Sequence, residues 1–304
     1  MDERISNFAQ VASLRRYTLT EGKGKGLDVI DCDNGKIRFL LNVSKACDIM
    51  QLYYKGQNMS FISKNGFMQR EIPFAGRFEG GMLYTCGLDS VGERAGYEEH
   101  GTIHNTPAEI LRAECNEQEI VVEAVIRDTE ICGKNLVLRR TITAPIGGDT
   151  VSTRDVLVNE SYRDENYCLL YHVNLGYPLL DDGARIVADT DSCQPRTPWA
   201  AENIDTAYEI SAPIPNMEET CYYLEPKSST VSLVNEKIGR KFTVSYSGDT
   251  LPNFLEWKCM ASGDYALGLE PCTTKLDDLF AYSTIKAGEA IAFSVDLTIT
   301  ETKK

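Results

Sequence analysis

The chain has 304 residues, of which 42% are hydrophobic and 25% are charged, and its formal net charge at pH 7 is −14. This length and composition are typical of a folded globular protein and exclude a disordered chain. The acidic excess argues against nucleic acid and anionic lipid as partners, so a neutral ligand fits the average charge best.

The sequence carries no signal for a membrane or for export. No stretch approaches the roughly 18 consecutive apolar residues of a membrane span, and the start, Met1-Asp2-Glu3-Arg4, lacks the basic and apolar regions of a leader peptide. We therefore expect a cytoplasmic protein. Its ten cysteines include no Cys-x-x-Cys pair, which favours buried free thiols over disulfides.

The first predicted element is a short N-terminal helix within residues 1–16. Helical spacing relates four apolar residues, Ile5, Phe8, Val11 and Ala12. Ser6 is a candidate cap for this helix.

From Lys36 onward the sequence predicts strands. Apolar residues alternate with polar ones or form short β-branched blocks, and turn residues separate the blocks. The blocks are Ile37–Leu41, Ile120–Val125, Leu136–Ile142, Val151–Val158, Tyr167–Tyr171, Val231–Val234, Phe242–Tyr246 and Ile291–Leu297. This pattern is typical of a mostly antiparallel, all-β protein, and since no linker interrupts it we predict a single domain over residues 1–304. The proline-rich stretch 190–219 is predicted to be a long excursion over one rim of the sheets.

Residues 74–107 are dense in glycine and in polar side chains, among them Arg77, Asp89, His100 and His104. Glycine permits the close backbone approach that binding loops on a β-scaffold require. Ordinary connecting loops explain the same composition equally well. The segment is therefore a candidate binding region.

Two further residues stand out because they are polar within apolar strands. His172 follows a nearly all-apolar strand and precedes Asn174, at a place where a strand delivers side chains to a cleft, although a lone histidine there is more often structural. Glu270 interrupts the apolar run Tyr265–Cys272. A charge buried in such a strand is either paired or functional, and we interpret Glu270 as functional.

A metal site is the first chemical alternative. His100 and His104 have the i, i+4 spacing of one helix face, but Gly101 and Pro107 argue against a helix. Two histidines and Glu270 would satisfy zinc by ligand type, yet the spacing does not match a known metal motif. Nucleophile-elbow, phosphate-loop and dinucleotide motifs are also missing from the sequence. We predict neither a metal nor a cofactor.

Five segments agree in order and approximate spacing with one protein family. They are Phe78–Leu88, His100–Ala108, Asp155–Asn159, Tyr171–Leu180 and Gly268–Pro271. Together they resemble the aldose 1-epimerase (galactose mutarotase)-like proteins, and within them the branch known as domain of unknown function 4432 (DUF4432). The resemblance spans nearly the whole chain and implies a galactose mutarotase-like β-supersandwich with a sugar-binding cleft on its concave face.

The resemblance also implies roles for individual residues. Glu270 matches the general base of the mutarotases and His172 the general acid. His100, and more loosely Arg77, match residues that contact sugar hydroxyls. Neighbouring candidates for orienting hydroxyls are His104, Asn174 and Asp89, and the candidates for stacking on a sugar face are Trp257 and Tyr177.

The implied activity is interconversion of the α and β anomers of a free monosaccharide or small sugar derivative. A carboxylate and an imidazole on opposite sides of the sugar would open and close the ring by proton transfer, without a cofactor. Two alternatives fit the same residues. One is a non-catalytic carbohydrate-binding or regulatory protein, and the other is a different sugar isomerase or epimerase, including a metal-dependent one.

One segment departs from the family pattern. Relatives often show Arg-Gly-Met-Asp-Ile where this chain has Lys45-Ala46-Cys47-Asp48-Ile49. Lys45 replaces a planar, bidentate guanidinium with a point charge, so we expect any group that the arginine grips to be held differently here. Asp48 is predicted to anchor the early strand or its neighbouring loop, and direct contact with the sugar is the less favoured role.

Overall fold

The computed structural model describes residues 3–70 and 72–302, and β-strands are its main elements. The strands within these ranges are β1 Ser13–Thr18, β2 Asp28–Asp33, β3 Ile37–Asn42, β4 Asp48–Tyr54, β5 Gln57–Asn58, β6 Leu83–Leu88, β7 Glu109–Cys115, β8 Glu119–Thr129, β9 Asn135–Pro145, β10 Thr150–Asn159, β11 Glu165–Leu175, β12 Arg185–Pro195, β13 Thr220–Asn235, β14 Arg240–Tyr246, β15 Asn253–Cys259, β16 Ala266–Cys272, β17 Ser283–Ile285 and β18 Ala290–Glu301. The α-helices are α1 Phe74–Arg77 and α2 Pro198–Glu202, and short 3-10 turns lie at Phe8–Gln10, Gly22–Gly24, Ile103–Asn105, Ile204–Thr206 and Asp277–Leu279. No helix in the described ranges is long and apolar enough to cross a membrane.

Across these described residues the strands form two sheets. The smaller sheet has the order β1-β2-β3-β4-β5, and the larger has the order β17-β11-β16-β15-β13-β14-β18-β10-β9-β8-β7, with β12 added to β13 and β6 to β11. Neighbouring strands such as β11 and β16, or β15 and β16, run antiparallel. The predicted mostly antiparallel, all-β fold is confirmed.

One hydrophobic core joins the two sheets, with Phe39 of β3 and Leu138 of β9 among its members. Every residue of β16 is buried, as is β11 from Tyr167 to its end. Burial on both faces explains why these strands read as continuous apolar runs instead of alternating patterns. A polar side chain in either strand is therefore either enclosed by protein or directed into a cavity.

The predicted N-terminal helix is mostly wrong. Within the described part of residues 1–16, the helical portion is the single 3-10 turn Phe8–Gln10, and β1 already begins at Ser13; residues 1 and 2 lie outside the described ranges. The cap is Asn7 instead of Ser6, because Asn7 Oδ1 accepts a hydrogen bond of 2.9 Å from the Ala9 amide. Pairing of β1 with β2 along its whole length outweighs a weak helical spacing.

The predicted rim excursion begins later than residue 190. β12 continues through Pro195, with shifts of register against β13 that accommodate its irregular sequence. The irregular part thus starts at Arg196 and contains α2 and a 3-10 turn. Lys258 Nζ anchors this segment by donating hydrogen bonds of 2.7, 2.8 and 3.0 Å to three of its carbonyl oxygens.

The cysteines agree with the sequence prediction. All ten are free thiols in the described residues; Cys132 is exposed, Cys115 and Cys193 are partly buried, and the others are buried. Burial raises the pKa of buried thiols such as Cys86 and Cys272 well above the usual value. These thiols behave as small apolar side chains.

Candidate active site

A cavity of about 740 Å³ lies where β11, β15 and β16 meet the glycine-rich segment and the rim excursion. This volume is in the range of small-molecule sites. Four aromatic side chains line it, namely Phe61, Phe74, Phe78 and Trp257. Apolar rings combined with ionisable groups are the usual lining of a sugar-sized site.

His172 of β11 and Glu270 of β16 form a cross-strand pair that lines this cavity. The register that pairs Val173 with Leu269 and Leu170 with Cys272 sets His172 opposite Glu270. The two residues are 4% and 3% exposed, and His172 Nε2 lies 3.2 Å from Glu270 Oε1. Glu270 Oε1 and His172 Nδ1 each lack a hydrogen-bond partner of good geometry among the described residues, so each side chain has an unsatisfied polar atom.

Burial shifts the pKa values of the two groups in opposite directions. It raises the pKa of Glu270 well above the usual value; the charge of Glu219 adds to this rise and Arg196 opposes it. It lowers the pKa of His172 well below the usual value, and His100 adds to this decrease. Burial therefore favours the neutral form of both groups.

Gly268 leaves room for the pair. A Cβ atom at this position would lie 2.2 Å from Glu270 Oε1 and 3.0 Å from His172 Cε1. Any larger residue would have to displace the carboxylate or the imidazole. This close approach is the physical reason for glycine in the run Gly268-Leu269-Glu270.

Asn174 supports His172 from the same strand, since residues two apart on a strand share a face. Its Nδ2 donates a 3.0 Å hydrogen bond to the His172 carbonyl, and its side chain partly offsets the decrease in the His172 pKa. Asn174 is fully buried and does not line the cavity. The structure therefore places Asn174 behind His172, outside the cavity wall.

His100 and Trp257 do line the cavity. The His100 ring packs edge-on against His172 at 5.7 Å, and His100 Nδ1 accepts a 3.3 Å hydrogen bond from the Gly92 amide. Burial, with a smaller effect of Arg196, lowers the pKa of His100 to about 4. A neutral His100 with its Nδ1 occupied carries its proton on Nε2, which makes it a hydrogen-bond donor.

The structure separates four other predicted residues from the cavity. Arg77 Nη2 lies 2.7 Å from Glu98 Oε1, and the Asp89 carboxylate accepts from the Thr102 amide at 3.2 Å. Tyr177 is 70% exposed, and none of these three lines the cavity. Composition identified the right segment, but it could not say which side chains turn inward.

His104 is the fourth of these residues, and it belongs to a buried polar network. Its Nδ1 lies 2.6 Å from Asp48 Oδ2 and its Nε2 lies 3.4 Å from Glu79 Oε1. Its ring stacks on Tyr84 at 3.6 Å. Lys45 Nζ lies 3.0 Å from Glu79 Oε2 in the same network. The departure at Lys45 therefore lies in the protein interior, where the lysine holds the Glu79 carboxylate as a point charge.

Asp48 and Arg140 form the centre of this network, which agrees with the anchoring role predicted for Asp48. Arg140 donates to Asp48 at 2.5 Å and to Asp155 at 2.7 and 3.0 Å. Asp48 also accepts from the backbone and hydroxyl of Thr85 at 2.7 and 2.6 Å. Burial opposes ionisation of Asp48, yet Arg140 and His104 outweigh it and hold the Asp48 pKa below its usual value.

Sequence reasoning missed the charged residues that the rim excursion brings to the cavity. Arg196 and Glu219 both line it. Arg196 forms two hydrogen bonds of 2.6 and 2.9 Å with Asp277, and Glu219 Oε2 accepts from Trp257 Nε1 at 2.7 Å. Both contacts join distant parts of an irregular sequence, so no local motif could have identified them. Among the described residues, no group of three or more His, Cys, Asp or Glu side chains is arranged to hold a metal ion.

The fold and its cavity define a galactose mutarotase-like β-protein. The structure is similar to a "putative aldose 1-epimerase" from Klebsiella pneumoniae, with a TM-score of 0.86 at 19% identity over 97% of this chain and 87% of that one. It is also similar to a galactose mutarotase-like protein from Clostridium acetobutylicum (TM-score 0.70, 14% identity, 96% and 100% covered). Galactose 1-epimerase from Lactobacillus acidophilus matches with a TM-score of 0.65 at 12% identity, over 96% and 100% of the two chains.

The sequence family is more specific than the fold. The family model described as Domain of unknown function (DUF4432) matches residues 24–290, so the chain belongs to this family. No curated protein sequence matches the chain.

Proposed function

We propose that this protein interconverts the α and β anomers of a free aldose, with Glu270 and His172 as its proton-transfer groups. The observation that carries the proposal is their cross-strand contact of 3.2 Å in a cavity large enough for a sugar. A carboxylate with a free oxygen beside an imidazole is the arrangement that paired proton transfer needs. The galactose mutarotase-like fold supports the same class of reaction.

The proposed reaction conserves protons. Glu270 removes the proton of the anomeric hydroxyl while His172 donates one to the ring oxygen; the bond between C1 and the ring oxygen breaks, and C1 becomes an aldehyde. After rotation of the aldehyde, the ring hydroxyl attacks the other face of C1 and both protons return. Because the two side chains are neighbours, we infer that they approach the sugar from one side, in place of the opposite sides expected from the resemblance.

Burial favours the neutral forms of Glu270 and His172 in the free protein, whereas these roles require the carboxylate and the imidazolium. A shift of one proton from Glu270 to His172, whose Oε1 and Nε2 atoms lie 3.2 Å apart, interconverts the two forms without a change in the total number of protons. Protonation of Glu270 in the free protein therefore does not by itself end activity. Activity should therefore fall at both ends of the pH range. At low pH the Glu270–His172 pair gains a second proton, and at high pH it loses the shared proton.

We expect kcat/KM for anomer exchange to be bell-shaped in pH. The acid limb lies below the usual histidine range, because burial lowers the pKa of His172, and the alkaline limb lies above the usual carboxylate range, because burial raises the pKa of Glu270. Polarimetry of a freshly dissolved anomer, corrected for the spontaneous rate at each pH, measures this profile. A single acid limb near pH 6.5, the ordinary histidine value, would contradict the shared-proton account.

His100→Ala should raise KM about fivefold to tenfold with a smaller decrease in kcat, because it removes a neutral donor from the cavity wall. Arg77→Met is the matched control from the same glycine-rich segment, since Arg77 faces Glu98 outside the cavity. We expect its KM to equal that of the wild type. Equal KM values for the two variants would remove His100 from the binding site.

Gly268→Ala should lower kcat about 10²-fold, because the new Cβ displaces a reacting group by a distance of the order of 1 Å. Overpacking of this kind costs about 1–3 kcal/mol of stability, so circular dichroism should still show the folded state. Polarimetry gives kcat and thermal unfolding gives stability. Unchanged kcat would show that the position of the pair is not critical.

The same assays separate this function from the two alternatives. A carbohydrate-binding protein would give saturation-transfer signals from a sugar without accelerating exchange. A metal-dependent isomerase would lose activity on chelation and would convert one sugar into another.

A further inference from the structure

More acidic than basic side chains line the cavity, and several of the acidic ones form no ion pair among the described residues. The two Lys or Arg side chains that line the cavity, Lys64 and Arg196, each pair with an aspartate. Lys64 Nζ lies 2.7 Å from Asp264, and Arg196 forms two hydrogen bonds with Asp277. The hydrogen bonds of both cations are thus directed to aspartates, although the charge of Arg196 still acts on Glu270.

Three further carboxylates, Glu93, Glu99 and Glu219, line the same cavity without a basic partner within 4 Å among the described residues. Glu219 instead accepts the indole hydrogen of Trp257. Burial raises the pKa of Glu99, and the negative charges of Glu93, Glu219 and Glu98 raise it further, while Arg77 opposes the rise. The carboxylates therefore repel one another, and a cation placed among them would relieve this repulsion.

A second observation marks the same cavity as a ligand site. Glu270 is 3% exposed and lines the cavity, and its Oε1 has no hydrogen-bond partner of good geometry. A buried polar atom in this state calls for a partner supplied by a ligand.

We propose that the sugar bound in this cavity carries a positively charged substituent, such as a protonated amine, that lies beside Glu99 and Glu219. The inference rests on the proposed function and names its substrate class. This proposal replaces the neutral ligand expected from the average charge of the chain.

The charge of the substrate would also prepare the reacting pair. After burial, Glu219 is the main group that favours the protonated form of Glu270, whereas the groups acting on His172 are His100 and Asn174. A cation beside Glu219 offsets its effect on Glu270 and so lowers the pKa of Glu270. This favours the carboxylate form, which the proposed role of Glu270 requires.

The test compares sugars that differ only in the charge of one substituent. Glucosamine and galactosamine, at a pH at which the amine is protonated, are measured against their N-acetyl derivatives, the parent glucose and galactose, and the corresponding uronic acids. Saturation-transfer NMR gives binding, and exchange NMR gives kcat/KM. At low salt we expect kcat/KM for the amino sugars to be about tenfold higher than for the N-acetyl sugars. This preference should fall as the salt concentration rises, because two of the carboxylates are exposed.

Three variants test whether the preference for amino sugars comes from the carboxylates in the cavity. Glu219→Gln and Glu99→Gln should each reduce the ratio of amino to N-acetyl sugar several-fold. Glu236→Gln removes the same charge from an exposed position outside the cavity, and it should leave the ratio unchanged. An equal effect of all three variants would mean that only the net charge of the chain matters, and would overturn the proposed position.

The outcomes separate this inference from the proposed function. If neutral or acidic sugars exchange as fast as amino sugars, the charge proposal is wrong and the epimerase proposal stands. If no sugar exchanges faster than in buffer, the epimerase proposal fails, and binding alone decides the charge proposal. It is then supported by tighter binding of the amines than of their N-acetyl derivatives and overturned by equal binding.

Discussion

Glu270→Gln should lower kcat for anomer exchange by about 10²- to 10⁴-fold while the variant stays folded and binds sugar. Glutamine keeps the shape and the hydrogen-bonding capacity of the side chain but cannot accept and return a proton. Polarimetry at matched protein concentration gives kcat, and saturation-transfer NMR gives binding. Exchange at the wild-type rate would remove Glu270 from the mechanism.

Glu256→Gln is the matched control. Glu256 is fully buried in β15, the strand next to Glu270, and does not line the active-site cavity. Burial raises the pKa of Glu256 to about 8, with Lys258 opposing, so below that pH glutamine replaces a neutral acid of the same shape. We expect near-normal exchange. A loss equal to that of Glu270→Gln would mean that any change to a buried carboxyl in this sheet disturbs the site.

Arg140→Met should lower the free energy of unfolding by about 3–5 kcal/mol, because it leaves Asp48 and Asp155 as buried charges without their cation. The methionine fills part of the space but supplies none of the five hydrogen bonds that Arg140 donates. Urea unfolding followed by fluorescence measures the difference.

Arg139→Met is the control from the adjacent position of β9. Arg139 faces Glu160 with 56% of its side chain exposed, and exposed ion pairs contribute about 0–1 kcal/mol. Similar losses for Arg139→Met and Arg140→Met would contradict the account of the buried network.

The fold could be predicted from the sequence because the pattern of apolar residues is visible within individual strands. Apolar alternation identified β8, β9 and β10, and the continuous apolar runs identified β11 and β16. Glu270 was recognisable because a carboxylate within a buried strand needs an explanation. Its neighbour could not be deduced in the same way, since the register of β11 against β16 determines that His172 is the opposite residue.

Other parts of the site depend on geometry that composition does not contain. His100 and His104 lie four residues apart in one segment, yet the 3-10 turn Ile103–Asn105 directs His104 into the interior while His100 lines the cavity. Arg196 reaches the cavity by pairing with Asp277, 81 residues away. Long-range pairs of this kind have no local signature.

Exchange NMR of free aldoses in the presence of the wild-type protein tests the central claim most directly. The account predicts cross-peaks between the α and β signals of at least one aldose, at a rate proportional to protein concentration and absent in Glu270→Gln. Saturation transfer from a bound aldose with no exchange above the rate in buffer would contradict it.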